Sequence, residues 1–140
     1  MNKRDDAIRY FRAGYNCAQS VVLACAGESE SLSRVASSFG GGIGRMQSIC
    51  GAVTGAYICL GLEFGPRTIP TDEEKQKLYA RVKAFRAEFI FRNRTDICFE
   101  LLGEDMNTPE GKARVKEKDL HRTICEKCII DAIDIIEKMK

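Results

Sequence analysis

The stretch Thr71-Asp72-Glu73-Glu74-Lys75-Gln76-Lys77-Leu78-Tyr79-Ala80-Arg81-Val82-Lys83-Ala84-Phe85-Arg86-Ala87-Glu88-Phe89 decides the fold class. Thr71 and Glu74 form a capping box just after Pro70. Leu78, Val82, Phe85 and Phe89 then recur three and four residues apart, with Lys and Arg between them. That is the signature of a long amphipathic helix over 71–94. It leaves Tyr79 and Phe91 outward, a face that suits a dimer or a monomer equally.

The same grammar extends in both directions. Ala7, Ile8 and Phe11 share one face of a first helix that stops at Gly14. Asn16 and Gln19 open a second, which runs through Val21, Val22 and Cys25 to Gly27. A short third helix spans 32–39, and a fourth begins near Ser48 and ends at Gly65-Pro66. Asp96 starts a short helix ending at Gly103, and Thr108-Pro109 is an N-cap followed by proline at the first helical position. A last helix starts near Thr123, with Glu126 completing a capping box and Ile129, Ile133 and Ile136 inward. Because β-branched residues fall at spacings of three and four, no strand is expected. The reading is all-α: one domain over 1–140, a compact bundle of about five to seven helices with a glycine-rich loop before the central one.

The 140 residues are 44% hydrophobic, enough for a core that needs no disulfide staples. Basic and acidic residues number 22 and 20, so no strong basic field invites nucleic acid. The absence of Trp and the 8% aromatic content argue against base stacking. The least charged stretch, between Arg45 and Glu63, falls short of the about 20 apolar residues that span a bilayer, so no membrane insertion is expected. The charged start, Met1 to Asp6, lacks the apolar core of a signal peptide, which predicts a cytoplasmic protein.

Seven cysteines in such a chain point to chemistry at sulfur. Cys17, Cys50, Cys98 and Cys125 each follow a good N-cap residue by one or two positions. A helix start offers unpaired N–H groups and partial positive charge, both of which favour thiolate. Cys50 follows Gly40-Gly41-Gly42-Ile43-Gly44 and opens Cys50-Gly51-Ala52-Val53-Thr54-Gly55. Gly51, Gly55 and Cys59 leave one helix face nearly bare, either for close packing or for space beside the Cys50 sulfur. Arg45 is near enough in sequence to add charge. A buried inert thiol is the plain alternative. The glycine run lacks the ending and the preceding strand of a P-loop. Cys125-Glu126-Lys127-Cys128 has dithiol spacing without the βαβ setting. Cys25 and Cys59 read as core fillers. His121, the one histidine, is a base for a thiol, a metal ligand or a solvated side chain, and the 112–118 charge cluster is a solvated face.

The order of Cys17, the glycine-rich loop with Cys50-Gly51-Ala52-Val53-Thr54-Gly55, Cys98-Phe99-Glu100-Leu101-Leu102-Gly103 and Cys125 resembles the C-GCAxxG-C-C family of redox-active proteins. The resemblance covers essentially the whole chain. It maps Cys17, Cys50, Cys98 and Cys125 onto the four family cysteines and leaves Cys128 outside them. It also implies association with transporter loci, hence a small molecule or ion. The leading expectation is thiol-based dithiol/disulfide exchange with a small-molecule or protein redox partner. Cys50 would attack and Cys17, Cys98 or Cys125 would resolve; no cofactor is required. The alternative is one zinc ion or iron–sulfur cluster on Cys17, Cys50, Cys98 and Cys125.

Overall fold

A computed structural model describes residues 2–140. Among them are eight α-helices and no strand. The helices are α1 (Lys3–Ala13), α2 (Cys17–Ala26), α3 (Glu30–Ala36), α4 (Gly51–Phe64), α5 (Asp72–Asn93), α6 (Cys98–Leu102), α7 (Pro109–Glu117) and α8 (Glu126–Met139). A 3₁₀ turn, Ser37–Phe39, follows α3, and a π-helical turn, His121–Cys125, runs directly into α8. The fold class agrees with the sequence reading. The count of eight exceeds the five to seven expected, with α3 and α6 the shortest at seven and five residues.

Three caps form as the sequence indicates. Asn16 and Gln19 close a complete capping box on α2, and Thr71 and Glu74 do the same on α5. Thr108 accepts from the Gly111 N–H with Pro109 at the first position of α7. Three others do not form. The fourth helix begins at Gly51 with Cys50 as its N-cap, rather than at Ser48. Ile97 precedes α6, while Asp96 is buried and ion-paired to Arg86 at 2.9 Å. Thr123 and Glu126 make no capping box, because the chain is already helical there. Thr123 Oγ1 donates to the Asp119 carbonyl, and the Glu126 carboxylate takes the Arg12 guanidinium.

The core lies where α2, α4, α5 and α8 meet. Phe85, Phe89, Leu60, Ile129, Ile133 and Ile136 are fully buried in it. Tyr79 and Phe91, on the outer face of α5, are 54% and 86% exposed, as the periodicity requires. The helices α2 and α4 run side by side in the same direction, and glycine is what lets them touch. A Cβ at Gly51 would lie 3.0 Å from Cys17 Cβ. One at Gly55 would lie 2.8 Å from the Ala18 carbonyl oxygen and 3.2 Å from Val21 Cβ. The bare face read from the sequence is therefore filled by another helix.

Between α3 and α4 the backbone turns left-handed. Gly41, Gly42, Ile43, Gly44 and Arg45 all have φ between 58° and 70°, and Gln47 follows at 55°. Such a run disfavours any L-residue, and Ile43 most, because its Cβ is branched. The loop is held from outside. Buried Gln47 donates to the Glu104 carbonyl and accepts from the Met106 N–H, both at 2.8 Å. Cys98 N–H donates to Ser48 O, Cys50 N–H donates to Asp96 O, and Ile49 pairs with Ile97 in an isolated antiparallel bridge. This stitching brings the start of α6 beside the start of α4.

Candidate functional site: a cysteine-lined cavity

Cys17, Cys50, Cys98, Cys125 and Cys128 all line one cavity of about 1190 Å³. Its wall is built by the end of α1, the start of α2, the left-handed loop, the start of α4, α6, α7 and the junction into α8. All seven cysteines of the chain are free thiols. The four that the sequence singled out thus reach one cavity, with Cys128 as a fifth.

Within the cavity the thiols act on one another in two pairs. Cys17 favours the Cys125 thiolate, and Cys128 favours the Cys50 thiolate. The acidity of each pair is split. The Cys125 pKa falls to about 6, first through the Cys17 hydrogen bond and then, against an opposing burial effect, through His121. The Sγ–Nδ1 distance to His121 is 3.6 Å. Cys17 is pushed well up in return. Cys125 and Cys17 are half-buried, so the acidic sulfur is within reach of solvent.

The second pair lies deeper. Cys50 and Cys128 are both buried. Cys50 is lowered mainly by the Cys128 hydrogen bond, with burial opposing and the Ala52 and Val53 backbone N–H groups assisting. The helix-start argument therefore holds at Cys50, although the largest effect comes from a second thiol. Arg45 lines the cavity but is not among the main influences on Cys50. Cys128 is pushed up by donating to Cys50.

Cys98 differs from the other four. It is buried, hydrogen-bonds to no thiol, and is pushed up to about 12 by desolvation, then by the charges of Cys50 and Cys125. It stays a neutral thiol and packs against the loop, where a Cβ at Gly42 would lie 2.7 Å from its own Cβ. The sulfurs are arranged as two pairs plus one. Among the described residues no group of three or more His, Cys, Asp or Glu side chains is disposed to hold a metal ion.

Cys125 is not at a free helix start. It closes the π turn, in which the Glu126 N–H bonds back to the His121 carbonyl, five residues earlier. That wider turn carries the His121 ring to the sulfur. Phe11 packs edge-on against the same ring, and Arg12 grips Glu126 with two hydrogen bonds of 2.9 and 3.1 Å. The end of α1 thereby fixes the position of Cys125.

The family model described as "Putative redox-active protein (C_GCAxxG_C_C)" matches residues 15–139. The chain belongs to this family. The match spans every cysteine and all of the cavity lining except Phe11, Arg12 and Gly14 at the end of α1. No curated protein and no solved structure matches the chain. Among the described residues, no helix is long and apolar enough to cross a membrane.

Proposed function

We propose that this family member carries out dithiol–disulfide exchange in the cavity, with Cys125 as the attacking thiolate and Cys17 as the resolving thiol. One observation carries the reading: half-buried Cys125 lines the cavity with its sulfur 3.6 Å from His121 Nδ1, and His121 together with Cys17 lowers its pKa to about 6. At neutral pH such a sulfur is mostly thiolate, and Cys17 lines the same cavity as its resolving partner. This moves the attacking role from Cys50, where the sequence placed it, to Cys125.

The exchange runs in two displacements. The Cys125 thiolate attacks one sulfur of a substrate disulfide; a mixed disulfide forms and the first substrate thiolate leaves. Cys17 then loses its proton to that leaving group or to solvent and attacks the Cys125 sulfur, which expels the second substrate thiolate. Two protein thiols are oxidised to one disulfide, and one substrate disulfide is reduced to two thiols. His121, as the imidazolium, holds the Cys125 thiolate before attack. Cys50 and Cys128, the deeper pair in the same cavity, would reduce the Cys17–Cys125 disulfide by the same exchange. Cys98 keeps its proton and has a packing role.

The test is the pH dependence of Cys125 alkylation by iodoacetamide, read by peptide mass spectrometry, together with disulfide reduction by the Cys125→Ser variant. The expected profile is half-maximal near pH 6, and the variant reduces disulfide at a small fraction of the normal rate. Alkylation that rises only toward pH 9, or a variant with an unchanged rate, would overturn the assignment. Metal analysis of anaerobically purified protein checks the alternative: one tightly held equivalent protecting these thiols would replace exchange with coordination.

A further inference from the structure

Two cysteines lie outside this cavity. Cys25 is half-buried on α2, Cys59 is buried on α4, and both line a second cavity of about 130 Å³ with Leu62, Ile136 and Lys140. The parallel packing of α2 and α4 places them opposite each other. Position 51 faces 17, position 55 faces 21, and one more turn brings 59 to 25. At the first two steps a Cβ on the glycine would stand 3.0 and 3.2 Å from the facing Cβ. A disulfide requires Cβ atoms about 3.5–4.5 Å apart. Only the third step has side chains on both helices, and both are cysteine. Cys59 Sγ also lies 3.8 Å from the Val21 carbonyl oxygen, so it sits in the groove between the helices.

We infer that Cys25 and Cys59 form a second two-electron thiol–disulfide site, separate from the Cys125 cavity, which locks α2 to α4 when oxidised by a low-molecular-weight disulfide. The reaction balances without any further reagent. The Cys25 thiolate attacks the small disulfide, forms a mixed disulfide and releases one thiolate. Cys59 then attacks the Cys25 sulfur and releases the second, its proton passing to a departing thiolate. Cys25 leads because it is the accessible member, and because the Cys59 hydrogen bond and the nearby Lys3 and Lys140 ammonium groups favour its thiolate. Cys59 enters from the closed side of the groove.

The experiment treats the full chain with 2-hydroxyethyl disulfide, blocks the remaining thiols in acid, and maps the cross-links. Chymotrypsin suits the map, because cuts after Leu23 and Tyr57 separate Cys25 from Cys17 and Cys59 from Cys50. The expected product links the Cys25 peptide to the Cys59 peptide, and the same link forms in Cys125→Ser. In Cys59→Ser, the mercaptoethanol adduct remains on Cys25 because nothing displaces it. Recovery of Cys25 and Cys59 as free thiols, or of the adduct on Cys25 beside a free Cys59 in the unaltered chain, would overturn the inference. So would loss of the link in Cys125→Ser, since the second site would then depend on the first. The unaltered chain decides the matter even if a variant does not fold.

Discussion

At Cys125 the acidity comes from two partners. The Cys17 thiol is the largest single influence, and His121 acts through both a hydrogen bond and its charge. Both stabilise the charged form, so losing either raises the pKa and moves alkylation to higher pH. Cys17→Ala and His121→Gln are each expected to move the Cys125 alkylation profile to higher pH, and the double variant furthest. An unchanged profile in either variant, measured by the same peptide assay, would remove that partner from the acidity of Cys125. The sequence shows part of this arrangement. Asn16 and the glycine run mark Cys17 and Cys50 as helix-start sulfurs, and the structure places them so. The dithiol spacing of Cys125 and Cys128 leaves the part of Cys128 open in the sequence, since it falls outside the family motif. Residues three apart on a helix share a face, and Cys128 does line the cavity that Cys125 lines. The pairing of Cys17 with Cys125 was not legible, since it depends on how α1 and α8 dock.

Among the elements, the left-handed loop is the costliest backbone in the molecule, and its glycines are not equivalent. At Gly44 an added Cβ meets only the Ser38 carbonyl oxygen, at 3.8 Å. The penalty of Gly44→Ala is the conformation itself, about 1–2 kcal/mol. At Gly42 the added Cβ would lie 2.7 Å from Cys98 Cβ, from Gln47 Cα and from the Ser48 nitrogen, two of which are backbone atoms. Gly42→Ala therefore adds overpacking of about 1–3 kcal/mol to the same conformational cost. Urea unfolding is expected to place Gly42→Ala at the lower midpoint; equal midpoints would mean that the loop yields freely. The caps of α2, α5 and α7 were readable because each is a local hydrogen bond between residues three apart. The start of the last helix was misread for the opposite reason. Its π turn depends on Phe11 and Arg12, more than a hundred residues away in sequence. The need for positive φ at the glycine run was visible, whereas the continuation of left-handed backbone through Ile43, Arg45 and Gln47 required the tertiary anchors to Glu104 and Met106.

Across the whole molecule, near-neutral net charge hides a local imbalance. Arg12, Arg45, Lys112, Lys116 and Arg122 line the thiol cavity, against the carboxylates of Asp119 and Glu126. Arg12 is paired with Glu126 and Arg122 with Asp119. Arg45, Lys112 and Lys116 make no salt bridge among the described residues, so the rim is cationic. A field of one sign at a cleft raises the encounter rate of the opposite charge, by about tenfold or more at low salt. Dithiodipropionate and cystamine suit the comparison: both are small aliphatic disulfides, one a dianion and the other a dication. With each rate divided by that of a free small thiol under the same conditions, dithiodipropionate is expected to oxidise the Cys17–Cys125 pair faster. The advantage should shrink as salt rises, because the Debye length falls from about 30 Å at 0.01 M to about 3 Å at 1 M. It should shrink too in Lys112→Gln/Lys116→Gln, whose thiol contacts are untouched. If cystamine reacts as fast, or if the ratio ignores salt, the rim charges play no part in substrate choice. For Lys112→Gln/Lys116→Gln the Cys25–Cys59 pair supplies an internal reference in the same samples, since Cys25 and Cys59 line a different cavity that these rim residues do not reach.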